Sequence, residues 1–414
     1  MKRVLMIAFH FPPLAFGSGI QRTLSFVRHL PALGWQPAVL TVDARAHNQI
    51  DRDSTQAVPP SVTVTRAFTL DAKRDLSIGG RYLEWSARPD RWASWYIDGV
   101  RQGLRIMKQW KPDVIWSTYP IPTAHRIAQT LHAKSSIPWI ADFRDPMLQV
   151  DYPKEPALRR SFDRIERSAI QAARFSVFTT PGAVRSYCAS YPDAAERIVL
   201  IENGYEEDRF AALPERDRPG SSRGEAPLVL LHSGVVYPEE RDPEPLFIAL
   251  SRLQRAGTLT PQQLRIRFRA SHHDELLHRL GQQHGVADWL DIAPAIAHRE
   301  ALAEMMQVDA LLILQAANCN DQIPAKLYEY LRAGLPIGAL TDPAGDTAAA
   351  LMQAGVTEIA PLDSAAAIEA WLPAFASKVR TNTVRTPDPA AVMAASRGER
   401  AKLLAGLLER AVNA

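Results

Sequence analysis

Short apolar runs alternate with longer stretches of helical apolar spacing along most of the chain. Residues 3–9 (RVLMIAF) form an apolar burst rich in strand formers, as expected of a central strand covered on both faces. Beyond a loop of Pro and Gly, Ile20, Leu24, Phe26, Val27, Leu30 and Leu33 recur at helical spacing, and Gly34 ends that helix. Residues 37–42 (PAVLTV) make a second strand. Strand, helix, strand in that order predicts a parallel sheet wrapped by helices. The alternation continues with strand 113–118, helix 123–133, strand 138–143, a charged helix 156–173 and strands within 174–180 and 197–204. Residues 211–227 then turn polar and rich in Pro, Gly and Ser, the composition of a linker.

A second series follows. It predicts strands at 227–234, 264–269, 289–294 and 310–315, and helices at 244–256, 273–285, 299–307 and 324–334. Residues 398–412 make an amphipathic helix with Leu403, Leu404, Leu407, Leu408 and Val412 on one side. A length of 414 residues agrees with two α/β units, since one core stops growing near ~250–300 residues.

Bulk chemistry narrows the classes further. Hydrophobic residues at 46 % and charged ones at 22 % describe a folded globular chain. A net charge of +3 is too small to imply a nucleic-acid partner. Cys188 and Cys319 sit far apart, which fits a reducing, cytoplasmic setting better than a disulfide framework. Val4 to Phe9 after Met-Lys-Arg imitates a signal peptide, but His10, Pro12 and Pro13 break the run, so a buried first strand is expected. No run of 18 apolar residues is present to span a membrane. Residues 81–110 mix Arg81, Arg88, Arg91, Arg101, Arg105 and Lys108 with four Trp and two Tyr. That mixture suits peripheral contact with a membrane or a lipid-diphosphate acceptor, and equally a Trp-packed protein surface.

Two stretches could carry chemistry. The loop from His10 through Gly17-Ser18-Gly19 to Arg22 joins a strand to a helix. Its glycines would let backbone N–H groups approach an anion at the helix N-terminus. A plain connecting loop is the alternative. Gly17 and Gly19 with Asp43 imitate a dinucleotide fingerprint, yet seven residues separate Phe9 from Gly17 and Arg22 stands where the third glycine belongs. The second stretch is 320–336 (NDQIPAKLYEYLRAGLP), in which Pro324 suits a first helical turn and Gly334 its end. Lys326 and Glu329 share one helix face there. Asp321, in the loop ahead, could accept hydrogen bonds from sugar hydroxyls, and Glu329 could hold both hydroxyls of a ribose. A surface ion pair between Lys326 and Glu329 is the plainer alternative. Asp51-Arg52-Asp53 imitates a metal-binding Asp-x-Asp but sits in a polar loop after the second strand, as solvated charge does; His10 and His272-His273-Asp274 lack metal-ligand spacing, and no metal site is expected.

The 320–336 segment resembles the donor-site signature of the retaining GT-B glycosyltransferases of family 4, Glu-x7-Glu followed by a small residue, Gly and Pro. Asp321 and Glu329 stand in for the two acids, the first shortened by one methylene. FHFPPLAFGSG, Gly34-Trp35, Glu202-Asn203-Gly204-Tyr205, His232-Ser233-Gly234 with Glu240-Arg241-Asp242-Pro243, and Ile296-Ala297-His298 resemble further family elements in the same order. Asp142-Phe143-Arg144-Asp145-Pro146 is similar to a polysaccharide-biosynthesis subgroup.

The resemblance implies an α/β protein of GT-B architecture, two Rossmann-like domains facing across a cleft with the C-terminal helix returning to the first. Residues 1–210 with 395–414 would take the acceptor, and 211–394 the nucleotide sugar. It implies a hexosyltransferase-like enzyme that transfers a sugar with retention, without metal or cofactor, to a glycan or polyprenyl-diphosphate-linked acceptor at the inner face of the membrane. Gly17, Ser18, Gly19, Arg241, Lys326 and Glu329 would bind the donor, with Arg144, Asp145 and Asp321 in catalysis. A buried structural pair of Arg144 and Asp145, a sugar-nucleotide epimerase of the same architecture, and a non-catalytic sugar-nucleotide-binding protein are the competing readings.

Overall fold

A computed structural model describes residues 1–14, 18–51, 53–77, 79–149, 152–213 and 226–413. The chain divides into two compact units, Met1–Asn203 with Arg397–Ala414, and Gly204–Ser396.

The first unit holds seven strands: β1 (Lys2–Ala8), β2 (Trp35–Val42), β3 (Thr63–Ala67), β4 (Val114–Thr118), β5 (Trp139–Arg144), β6 (Phe175–Phe178) and β7 (Ile198–Leu200). They pair in parallel in the order β3-β2-β1-β4-β5-β6-β7. Val4 and Met6 of β1 join one core cluster, and Leu5 and Ile7 the other, all wholly buried. Both faces are covered, so the strand is a continuous apolar run rather than an alternation.

Helices Trp95–Trp110, Pro122–Ser135 and Pro156–Ala172 cover one face. The first of these buries Trp95, Gly99, Gly103 and Met107 along one stripe. A Cβ on Gly99 would lie 2.5 Å from Ile127 Cδ1, and one on Gly103 equally close to Leu131 Cδ1, so the glycines are the holes that admit the next helix. Helix Ser18–His29 and the C-terminal helix Arg397–Asn413 cover the other face, where Leu404, Leu407 and Leu408 cluster with Leu24, Val27 and Trp116. Ion pairs Lys2–Glu409 and Arg400–Glu202 fasten the C-terminal helix to the first unit.

The second unit holds β8 (Leu228–Ser233), β9 (Leu264–Arg269), β10 (Leu290–Ala293), β11 (Ala310–Gln315), β12 (Ile337–Thr341) and β13 (Ile359–Ala360). They are parallel in the order β10-β9-β8-β11-β12-β13. Tyr205 and Phe210 are buried with Leu302 and Leu331 in this unit's core. The chain has therefore joined the second unit by Gly204, ahead of the polar stretch 211–227, of which 214–225 lie outside the described residues.

Each sheet reverses its strand order once, at β1/β4 and at β8/β11. Neighbouring connections leave in opposite directions at such a point, which opens a crevice beyond the carboxyl ends of the strands. The aromatic–basic stretch 81–110 splits in two. Trp95 is buried and Trp92 and Tyr96 pack on the core, whereas Leu83 and Trp85 are exposed at 64 % and 69 %. No described helix is long and apolar enough to cross a membrane.

The buried side of the C-terminal helix generates a stability test. Leu408→Ala, at a fully buried position, lowers the stability of the protein by about 2–5 kcal/mol. Leu403→Ala, at a position half exposed on the same helix, changes it by less than about 0.5 kcal/mol. Chemical denaturation followed by circular dichroism separates the two.

Candidate functional site

The crevice of the second sheet is built from the end of β8 and the helix Lys326–Ala333. That helix forms because Leu327, Tyr328, Tyr330 and Leu331 give it a buried face and Gly334, at φ +68°, closes it with Pro336 just beyond. The Leu327 N–H donates to the Pro324 carbonyl at 2.9 Å, setting its entry turn. The Tyr330 hydroxyl accepts the Ser233 N–H at 2.8 Å, which ties the helix to β8. Beyond Ser233 the chain turns at Gly234 with φ +108°. A Cβ at that position would lie 3.3 Å from Lys326 Nζ, so glycine here leaves room for the ammonium.

Lys326 Nζ lies 2.8 Å from His232 Nε2. On the far side of the same ring, Nδ1 lies 3.0 Å from the Leu312 carbonyl of β11. A carbonyl only accepts, so Nδ1 carries the proton and Nε2 accepts from the ammonium. Burial, with Lys326 second, holds His232 well below the ordinary imidazole range, and the ring is neutral. Burial, reinforced by Arg241, likewise pushes Lys326 well below the usual lysine range, while Glu329 pulls it back. Arg241 donates from Nη1 to the Val235 carbonyl at 2.6 Å and lies over the Tyr237 ring at 5.1 Å. Its Nε is buried without a hydrogen-bond partner among the described residues. A buried donor left unmade costs about 1–3 kcal/mol, which an oxygen-rich anion would recover.

Glu329 turns elsewhere. Its Oε1 lies 3.0 Å from His298 Nε2, and Arg209 Nη1 approaches His298 Nδ1 at 3.5 Å, so Nε2–H is the donor to Glu329. Lys326 and Glu329 thus share a helix face but engage different histidines, and the surface ion pair weighed from their spacing does not form. Asp321 stands exposed in the loop between β11 and this helix.

The crevice of the first sheet gathers another set. Gly17 lies outside the described residues, Ser18 opens helix Ser18–His29, and Gly19 sits in its first turn. A Cβ on Gly19 would lie 2.6 Å from Arg144 Nη1 and 2.7 Å from His10 Nδ1. Arg144 ends β5 at φ +64°, where the β5–β6 register shifts. A non-glycine residue in the left-handed region costs about 1 kcal/mol or more, a cost met most often at functional corners. The bend turns the buried guanidinium toward β4, where Nη1 donates to the Tyr119 carbonyl at 3.2 Å. Thr179 N–H and hydroxyl both bond the Arg144 carbonyl at 2.9 Å and fix the bend. Asp145 is exposed beside it.

The buried ion pair of the 142–146 stretch belongs to Asp142. Arg22 grips it with two hydrogen bonds of 2.8 and 3.0 Å, Thr118 adds a third at 2.8 Å, and neither charged residue is more than 3 % exposed. The Arg22 guanidinium also donates to the Ile201 and Glu202 carbonyls. Sequence reasoning missed this pair as it missed the pairing of His232 with Lys326, because each partner lies a hundred or so residues from the other. The one local signal was a polar His232 inside the apolar run LVLLHS.

Comparison with known proteins follows the same lines. Residues 18–204 match the profile of the glycosyl transferase 4-like domain. No curated protein sequence matches the chain significantly. Sucrose-phosphate synthase from Thermosynechococcus elongatus matches 99 % of this chain over 98 % of its own at 16 % identity, with a TM-score of 0.64. HepE of Anabaena, solved in complex with UDP, matches 99 % of this chain over 100 % of its own at 12 % identity and 0.65. The fold is that of the GT-B glycosyltransferases. A trehalose 6-phosphate synthase from Burkholderia multivorans shows the same GT-B fold, at 12 % identity and a TM-score of 0.61 over 99 % of this chain and 97 % of its own. In this GT-B chain both sets of cations, the buried Arg144 and the half-buried Lys326 and Arg241, lie by the strand-order reversals of their own sheets.

Two expectations follow. Gly19→Ala destabilises the protein by about 1–3 kcal/mol by crowding Arg144 and His10. The loss shrinks when Arg144 is also replaced by Ala, a coupling read by denaturation of the single and double variants. Burial lowers His10, His47 and His125 from 6.5 to about 4. On acidification the unfolded chain takes up these protons first, so stability falls from about pH 6.5 down to about 4 and the loss from these groups then levels off. Denaturation midpoints across that range should flatten in a His125→Asn variant.

Proposed function

We propose that the chain is a glycosyltransferase that takes a hexose-like sugar from a nucleotide-diphosphate donor and transfers it with retention to a glycan or polyprenyl-diphosphate-linked acceptor. The observation that carries this is the pairing of Lys326 with Arg241 at the end of β8, two desolvated cations on neutral partners, with Glu329 one turn further along the same helix. Two such cations suit the negative charge of a diphosphate, and Glu329 supplies acceptor oxygens for a ribose.

In the reaction the bond from the anomeric carbon to the diphosphate oxygen breaks, and its electron pair stays on the diphosphate. Lys326 and Arg241 meet the growing negative charge, so neither a metal nor a cofactor is needed to stabilise it. Gly17, Ser18 and Gly19 remain donor-binding candidates through their backbone N–H groups. The acceptor hydroxyl attacks from the face on which the leaving group departs and gives its proton to the departing phosphate oxygen. Asp321 receives hydroxyls of the transferred sugar; Arg144 and Asp145 are the catalytic candidates of the first unit, to which we assign the acceptor. The UDP bound by HepE makes UDP-sugars the first donors to test. Exposed Leu83 and Trp85 beside the arginines of 81–110 give a peripheral contact with the inner face of the membrane, where a cytoplasmic enzyme of polysaccharide biosynthesis meets a lipid-linked acceptor.

Thermal unfolding against UDP-, GDP- and ADP-sugars, free nucleotides and NAD(P) tests the reading. A donor at a hundred times its dissociation constant stabilises the protein by about 2.7 kcal/mol. One sugar nucleotide raises the midpoint, and Glu329→Ala abolishes the shift. A shift from NAD(P) alone, or one indifferent to Glu329, overturns the proposal, and product formed without any acceptor identifies an epimerase instead.

A further inference from the structure

His232 contributes no charge to the crevice, yet it lies wholly buried beside Lys326. The ring is fully buried near the end of β8, tilted 50° to Phe268 at 5.9 Å between ring centres. Its two nitrogens bridge β11 to the helix Lys326–Ala333: Leu312 carbonyl, imidazole, ammonium. The Leu312 bond fixes which nitrogen holds the proton, and the tautomer in turn fixes Nε2 as an acceptor aimed at Lys326.

An alternative partner shows what the imidazole achieves. A carboxylate at this depth would hold the ammonium more strongly, as Glu304 holds Arg269 at 2.7 Å in the same unit. It would also cancel the charge. A purely apolar side chain would leave the charge but give the flexible four-carbon stem nothing to rest on. A neutral acceptor of fixed tautomer holds Nζ beside Gly234 while adding no negative charge to offset that of the ammonium.

We propose that His232 is a positioning residue for the donor phosphates, holding Lys326 at the end of β8 through a neutral acceptor nitrogen without neutralising it. The inference rests on the reading of this crevice as the diphosphate site and assigns to His232 a part in it. Its action runs wholly through Lys326.

The test measures binding of UDP, uridine and inorganic pyrophosphate to the full chain by titration calorimetry, with circular dichroism and thermal unfolding confirming that each variant is folded. His232→Gln, which keeps a neutral acceptor near the Nε2 position, retains most of the affinity for UDP and pyrophosphate. His232→Leu weakens both roughly tenfold. His232→Glu weakens both at least as much, although it holds the ammonium more firmly, and uridine binding changes in none of the variants. Lys326→Met carries the same loss, and adding His232→Leu to it costs nothing more.

Three results overturn the proposal: undiminished pyrophosphate and UDP binding in His232→Glu, additive losses from His232→Leu and Lys326→Met, or equal losses for uridine and UDP. If the unaltered protein binds neither pyrophosphate nor any nucleoside diphosphate, the diphosphate reading of the crevice fails and this inference falls with it. Binding that survives Lys326→Met but not Glu329→Ala overturns the role of His232 alone.

Discussion

Parallel strands covered on both faces leave little room for polar chemistry along their length, and that constraint organises the whole molecule. Val4 to Ile7, Leu230 to Leu231 and Ala310 to Leu314 are buried and apolar because helices lie above and below them. Polar side chains survive where the strands stop. The reversals at β1/β4 and β8/β11 then decide which strand ends open into a crevice rather than under a crossing connection. His10, Tyr119 and Arg144 collect at the first reversal, and His232, Gly234 and Lys326 at the second.

Cations in this chain fall into two kinds. Arg22 on Asp142, Arg269 on Glu304 and Arg332 on Glu207 meet carboxylates, and their charge is spent on holding elements together. Breaking the buried Arg22–Asp142 pair is costly because the remaining partner is stranded. Lys326 on an imidazole and Arg241 on a carbonyl are held by neutral acceptors instead. A protein that only needed these side chains for packing would have gained from carboxylate partners or from apolar replacements. Keeping two desolvated charges close together makes sense if a ligand supplies the missing negative charge.

Most of the sheet-and-helix framework was legible because its signals are local. RVLMIAF, DVIWST, PWIADF and ALLILQ each announce a buried strand within a few residues, and Gly34 and Gly334 end helices where the spacing places them. The gaps have equally local causes. Strand β3, TVTRA, lies at the sheet edge and is only partly buried, so its pattern is mostly polar. Helix Trp95–Trp110 was hidden because half of its buried stripe is glycine, which carries no hydrophobic signal although it forms the contact with Ile127 and Leu131. Tyr205 and Phe210 belong to the second core through partners that only folding reveals.

The candidate site was less legible because its chemistry lies in pairs rather than motifs. Spacing placed Lys326 and Glu329 on one face, and they are there, but spacing could not say that each reaches a different histidine. The distinction matters for Glu329. An ionised carboxylate offers about four lone-pair sites on two oxygens. His298 takes one site on Oε1 and so fixes the plane of the group at a half-buried position, while Oε2 still has lone pairs for a ligand hydroxyl. A carboxylate paired instead with Lys326 would have been both neutralised and turned along the helix, away from the crevice that Lys326 itself borders. The two histidines therefore perform one task on opposite charges, as each holds an ion in place by a single hydrogen bond.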